Sequence, residues 1–563
     1  MRTSHDRPLL LRLGLLACLA IGTLHTIHYW PEVIDDSYIF FRFARNFVNG
    51  HAYAFNAGEP NVEGFSSFTW FWLCVAGLRM GVADLLSFVK WCGLALHLAT
   101  IVGVFALADG FRRDAKPWAL VAPALYALHP FGAYHAVTGL ETPLSMAAIV
   151  ASMLALTRLA THPRAAFAGL ALAWVTVAWT RPEGFGYVAG CFVAALVLLE
   201  RPARGPLLRA AAVAAVALAA LFAWRWLNFG AVLPNTVAAK AAGASGHETL
   251  RTGLVYVVHF FHPLPIPTEV LASLFTLGVL VRRGNRRDLL LCAPIACAMG
   301  FSAIVRGDWM HSFRFMLPAA PFLALLTARA LEEFAAPLGA GRGGPLTARI
   351  GMAAAALVVA LSGLQFAMLD KARDRVDGFG RGWKPANWVL RAPGRLNEEF
   401  PPRIAGVTRW SLEHLGRDQK IATADIGFPG WTLNAPLLDV AGLTDPAIAR
   451  LMPVRDTVGF AERLREQAPA VIVMRTEHGM PVAVCDRLIE GSGVLAGYTY
   501  VDSLESYSES SRAVVFRRNG VALDVPPDSV LAHFDDAILH NPKVAALRAW
   551  RNEFAARHGR AAR

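Results

Sequence analysis

The sequence predicts a mostly α polytopic membrane domain followed by a soluble α/β domain. Three observations predict it. Of 563 residues, 55% are hydrophobic and 17% charged, with mean hydropathy +0.40; this is too apolar for a soluble chain of that length. Apolar runs of about 20 residues, long enough to cross ~30 Å of hydrocarbon, recur through the first two thirds. After residue 369 the composition turns hydrophilic at Asp370-Lys371-Ala372-Arg373-Asp374-Arg375. The expected division is a membrane domain over 1–369 and a second domain over 370–563.

In chain order the candidate spans are 9–29, 85–108, 117–137, 141–160, 164–181, 184–200, 207–228, 267–281, 288–305, 313–334 and 347–369, about eleven in all. Basic residues gather in the loops between some of them: Arg2 and Arg7; Arg112, Arg113 and Lys116; Arg201 and Arg204; Arg282, Arg283, Arg286 and Arg287; Arg342 and Arg349. That is the positive-inside pattern, and it accounts for the net charge of +12 without nucleic acid as a partner. With those loops in the cytoplasm and Asp35-Asp36 outside, 66–108 crosses an odd number of times. The stretch 66–82 then reads as an interfacial or re-entrant helix and 85–108 as the span. The glycines of 335–346 read as a cytoplasmic connection. The C-terminal domain falls on the outer, periplasmic side of an inner membrane.

The C-terminal part mixes two periods. β-rich runs fall at 419–424, Leu437–Val440, Ala470–Met474, Tyr498–Asp502 and Ala513–Phe516. Helical patterns fall near 403–415, 459–467, 526–539 and 543–557. No glycine fingerprint follows a strand, so no dinucleotide site is expected.

Sorting the loops by side separates the chemistry. The outer face collects Asp35, Asp36, Glu59, Glu63, Glu141, Glu183 and Asp308, with Arg42, Arg45, Arg181, Lys240, Arg306, His311 and Arg314 interleaved. Carboxylates suit proton abstraction from a hydroxyl or binding of a cation. Arginines suit phosphate. Such a face fits a lipid-linked phosphate donor and a hydroxyl acceptor. Each piece also has a plainer reading. Asp36 could cap the helix that follows. Ile39, Phe40, Phe43 and Phe47 form a stripe that fits a helix lying on the membrane surface. Glu141 could favour a helix N-terminus, and Arg181-Pro182-Glu183 could be a self-paired turn.

The segment Asp35-Asp36-Ser37-Tyr38-Ile39 through Asn46, then Val62-Glu63-Gly64-Phe65-Ser66, resembles the first outer loop of the GT-C membrane glycosyltransferases. It is most similar to the mycobacterial terminal β-(1→2) arabinofuranosyltransferases and their proteobacterial cousins. Thr138–Thr142, Thr180–Gly184, Leu233–Thr236 with Lys240, Arg306–Met310 with Phe313–Phe315, Asp425–Gly427 and Gly442–Pro446 extend the resemblance along the chain. It implies a polyprenyl-phosphate sugar donor, an inverting displacement and an outer-loop Asp as general base, Asp35 or Asp36. It implies a glycan, lipid or glycoprotein acceptor at the bilayer surface. Arg181, Arg306, Arg314, Lys240 and Arg42 become candidates for the donor phosphate. Glu63, Glu141, Glu183, Asp308 and His311 become further site residues. No cofactor follows; a divalent cation on Asp35 and Asp36 stays open. Where the family has two glycines before Asp-Trp-Met, this chain has Arg306-Gly307. The competing function is a transporter or flippase of a lipid-linked sugar. It calls for charges near the bilayer midplane and an internal repeat, whereas these charges gather at one face and no repeat is visible.

Overall fold

The computed structural model describes residues 6–112, 115–240, 246–261, 286–308, 310, 313–340, 402–505, 511–542 and 544–559. The candidate spans 267–281 and 347–369 lie outside the described residues, as does His311. The chain forms two compact units. One takes its described residues from Met1–Trp30, Lys90–Leu221 and Ala244–Pro393, the other from Pro31–Val89, Phe222–Gly243 and Gly394–Arg563. The second unit is therefore not the C-terminal part alone: it incorporates the whole first outer loop.

The elements described in the first unit are all helices. Three described helices are long and apolar enough to cross a membrane: Leu9–His28, Leu85–Leu107 and Arg201–Phe229. The first turn of the second, to Val89, and the last turns of the third, from Phe222, belong to the second unit. Other candidate spans fold as shorter pieces than the eleven-span expectation requires. Pro130 divides 117–137 into Val121–Leu128 and Pro130–Val137, because proline supplies no N–H and crowds the preceding turn. Thr142–Leu156, with 15 residues, is about 22 Å long. The helix Ala320–Ala340 runs on into the stretch expected as a loop. Helices approach closely where glycine allows it. A Cβ at Gly93 would lie 1.9 Å from the Ala136 carbonyl oxygen.

The second unit is built on a six-stranded sheet of order β2-β1-β3-β6-β5, with β4 beside β3. The strands are β1 Ile421–Thr423, β2 Leu437–Asp439, β3 Val471–Glu477, β4 Met480–Pro481, β5 Tyr498–Glu505 and β6 Ser511–Arg518. Strands β2, β1 and β3 are parallel; β3, β6 and β5 are antiparallel. His478 and Gly479, both at positive φ, close the β3–β4 hairpin. One face packs on Ile448, Phe460, Leu464, Leu488 and Ile489. The helices Pro446–Val454 and Thr457–Gln467 begin at Asp445 and Asp456, whose carboxylates accept two backbone N–H groups each.

The helix Asp36–Val48 is not a surface-lying helix. Its residues from Ser37 to Ala44 are all buried. Tyr38 meets Phe428 edge-on at 5.5 Å and Phe41 meets Trp431 at 5.7 Å; Phe43 packs on Phe55 and Phe65. The next helix, Phe68–Arg79, has 12 residues, or about 18 Å. That is too short to cross a bilayer, in line with the interfacial reading of 66–82.

Arg42 fastens this loop to the sheet layer. Its Nε donates to Phe55 O at 2.7 Å, Nη1 to Gly430 O at 2.7 Å, and Nη2 to Asn56 Oδ1 at 2.7 Å and Ala435 O at 3.3 Å. Asn56 continues the join. Its Oδ1 accepts from Leu437 N at 3.0 Å and its Nδ2 donates to Leu437 O at 2.8 Å, so its amide pairs with the edge strand β2 as a neighbouring strand would. Lysine at position 42, with three donors for four acceptors, would lose at least one of these bonds, worth about 1.5–3 kcal/mol when a charge is involved. Arg42→Lys should therefore lower the thermal unfolding temperature of the detergent-solubilised chain. It should leave phosphate-lipid affinity unchanged in the folded fraction.

Candidate active site

In the second unit Asp35 precedes the helix Asp36–Val48 but does not cap it. Its carboxylate reaches instead to the turn after β1. Oδ2 accepts from Gly427 N at 3.0 Å and Oδ1 from Phe428 N at 2.7 Å. Gly427 is required for this approach, because a Cβ there would lie 2.0 Å from Asp35 O and 2.6 Å from its Cγ. Asp35 is half-buried. Burial of its carboxyl group, then the Asp425 and Asp36 carboxylates, push it up to about 7, while the two amides pull it down. A carboxyl group placed there changes protonation near neutrality, as a general base should.

Asp36 is the first residue of its helix, so it occupies no capping position. Arg42, expected among the phosphate ligands, is buried and holds carbonyl groups of its own chain. Glu63 is buried in a two-pronged ion pair with Arg225, at 2.8 and 3.0 Å. Its backbone carbonyl accepts from Asn235 N at 3.1 Å, and Asn235 Nδ2 donates to Gly442 O and Leu443 O. Lys240 is exposed at the end of the short helix Asn235–Lys240.

Two of these features had no reading from the sequence. Arg225 sits in an apolar run that reads only as a span. Asp439 ends β2, where its buried carboxylate accepts from Ala441 N, Gly442 N and Thr444 N and shapes the turn above the strand. Burial pushes it up to about 7. The motifs Asp425–Gly427 and Gly442–Pro446 were the available signal, since both follow parallel strands at their carboxyl ends, where α/β sheets place their sites.

In the first unit the remaining candidates come together as buried pairs. Arg181 joins Glu141 at 3.2 Å and also bonds Glu183. Arg314 bonds Asp308 through Nε at 2.8 Å and Nη2 at 3.2 Å. Both guanidinium groups lie 5.2 Å from the ring of Phe315. The positive charges expected to meet a phosphate are thus already compensated by carboxylates. Arg306 is exposed. Its φ is +71° and that of Gly307 is +75°; a Cβ at Gly307 would lie 2.5 Å from the Tyr256 ring. The position that the family fills with glycine is a left-handed one, held here by arginine. No group of three or more metal-ligating side chains occurs among the described residues.

Residues 395–523 match a family model described as Domain of unknown function (DUF8728). No curated protein matches the chain by sequence. Among solved structures, the chain is similar to ArnT from Cupriavidus metallidurans bound to undecaprenyl phosphate. Identity is 14% and TM-score 0.52, over 91% of this chain and 98% of that one. It is also similar to the arabinofuranosyltransferase AftD from mycobacteria, with 17% identity and TM-score 0.46, over 92% of this chain and 40% of that one. The likeness to ArnT shows the fold alone.

A left-handed backbone is disfavoured for residues with a Cβ by roughly 1–2 kcal/mol, part of which glycine gives back through its freer unfolded chain. Arg306→Gly should raise stability by roughly 0.5–1 kcal/mol, with no such gain for Arg306→Ala. Chemical denaturation of the two variants side by side checks this.

Proposed function

We propose that this chain is a multi-pass inner-membrane glycosyltransferase with its C-terminal domain on the periplasmic face. In this reading it transfers a sugar from a polyprenyl-phosphate carrier to a glycan, lipid or glycoprotein. The ArnT fold supports the reaction class, and the undecaprenyl phosphate bound to ArnT supports the carrier class. The sequence resemblance puts arabinofuranose first among the sugars. What carries the reading is Asp35: an outer-loop carboxylate fixed by two amides, with a protonation midpoint raised to about 7.

The chemistry follows from that group. The acceptor hydroxyl attacks the anomeric carbon from the face opposite the phosphate. The new C–O bond forms as the bond to the phosphate oxygen breaks, and the carrier phosphate leaves with the electron pair. The hydroxyl proton passes to Asp35. With a raised midpoint Asp35 is a stronger proton acceptor than an ordinary carboxylate, yet it is substantially ionised at neutral pH. Among the arginines Arg306 is the first choice for the donor phosphate, because it is exposed whereas Arg181 and Arg314 are buried.

Asp35→Asn keeps the shape but accepts no proton, so transfer from a polyprenyl-phosphate sugar should fall by ~10²–10⁴-fold with carrier binding intact. Stability gives an independent check. A carboxyl raised from 3.8 to about 7 in the fold contributes stability that is complete below pH 3.8 and lost as pH rises through about 7. Wild type should lose stability over that window and Asp35→Asn should lose less of it, which denaturation at pH 4 and pH 8 checks. Gly427→Ala should displace Asp35 and reduce transfer by about 10²-fold. Wild-type transfer by both variants would remove Asp35 from the reaction.

A further inference from the structure

A cavity of about 210 Å³ opens in the first unit, apart from the Arg181 and Arg314 pairs. Asp109, Arg112, Lys116, Arg329 and Glu332 supply its charges; Leu325 and Trp118 form part of its apolar wall. Leu325, Arg329 and Glu332 share one face of the helix Ala320–Ala340. Glu332 is about 18 Å along that helix from Ala320, the end that follows Arg314. Asp109 comes just after the span Leu85–Leu107.

The charges are loosely joined. Lys116 Nζ lies 2.9 Å from Glu332 Oε1, and Arg329 Nη1 lies 3.2 Å from Glu332 Oε2. Arg329 stands 3.8 Å from Asp109 and 3.6 Å from Asp288 behind it, both beyond a hydrogen bond. Lys116 is exposed, and Arg329 and Glu332 are half-buried. Such pairs add little to the fold and cost little to open. Asp109 is out of place for a helix end. At φ +59° it donates its N–H to Ala106 O, and Gly110 donates to Phe105 O at 2.9 Å. That position favours glycine or asparagine, and the carbonyl end of a helix disfavours an anion. Helix termination therefore does not account for a carboxylate there, whereas a cationic ligand group does.

We propose that this cavity holds the headgroup of a zwitterionic phospholipid with a primary ammonium, a phosphatidylethanolamine. The order along Ala320–Ala340 is that of the lipid: Leu325 for its apolar end, the Arg329 guanidinium for its phosphate, the Glu332 carboxylate for its ammonium. Lys116 and the exposed Arg112 turn to the phosphate, while the ammonium takes the place of Lys116 on Glu332 and reaches Asp109. Each charge exchanges one partner for another and none is stranded. A purely anionic headgroup offers nothing to the two carboxylates. A choline headgroup offers them charge without N–H donors. Trp118 suits the headgroup level of a bilayer. The inference needs the first unit to lie in a membrane; it depends neither on Asp35 nor on the sugar transferred.

Native mass spectrometry of the full chain in detergent tests it. Phosphatidylethanolamine, phosphatidylglycerol and phosphatidylcholine with the same acyl chains are offered in equal amounts. Wild type should retain the ethanolamine lipid about ten-fold more than either of the others. Glu332→Gln keeps the side-chain shape and should remove most of that preference. Asp109→Asn should do the same, and asparagine suits the left-handed turn, so this variant is read should Glu332→Gln fail to fold. Soluble phosphoethanolamine, offered alone, should be retained less than the lipid; equal retention makes the occupant a soluble molecule and overturns the lipid assignment. Equal retention of the three lipids, a preference for phosphatidylglycerol, or a preference unchanged in both variants also overturns the proposal.

Discussion

A carboxylate withdrawn from water needs dipoles to replace the ones it leaves. At Asp35 two backbone amides supply them, and much of the second unit can be understood as the means of bringing them there. Gly427 must lack a side chain for the approach to close. The helix Asp36–Val48 must be sunk among aromatic rings so that the residue before it, Asp35, faces the turn after β1. Arg42 must span from that helix to Gly430 and Ala435, three and eight residues beyond Gly427. Each contact is ordinary alone. Together they define the position of one carboxyl group to within hydrogen-bond tolerance.

The first unit handles charge differently. Its buried arginines meet carboxylates directly, Arg181 with Glu141 and Glu183, Arg314 with Asp308. In an apolar surrounding, removal of one partner strands the other and typically costs about 3–5 kcal/mol. Such pairs hold helix ends together and serve poorly as open anion receptors. Any anion that displaced a carboxylate there would have to compensate fully for the pair it broke.

The C-terminal elements were legible because their periods are clean. All five expected strands and all four expected helices are present, within a few residues of the expected limits. Membrane helices were less legible in extent, since hydropathy reports an apolar run and is silent on the proline that divides it. The candidate site was legible as a set of residue types but not as a set of partners. Asp35 was identifiable from its place after an apolar span. That its amides come from residues 427 and 428 is a long-range fact with no local signature. Arg42 illustrates the limit from the other side. An arginine near the outer membrane surface is chemically fit for phosphate, and only the tertiary structure shows it spent on carbonyl groups. Arg225 was hidden entirely, one charge inside a run that otherwise reads as hydrocarbon-soluble.

The bonds between the first outer loop and the C-terminal sheet have a consequence for how the protein is made. Arg42 and its acceptor Gly430 are separated by 388 positions, Asn56 and Leu437 by 381. The loop leaves the ribosome long before its partners exist. At the speed of synthesis, about 5–20 residues per second, it waits roughly 20–80 seconds with its aromatic helix uncovered. Maturation is thus ordered by synthesis: the N-terminal loop is the last part of its unit to be completed, and a chain released before residue 437 carries an apolar, half-formed surface. Quality control acting on that surface would sense whether the far end of the protein had arrived.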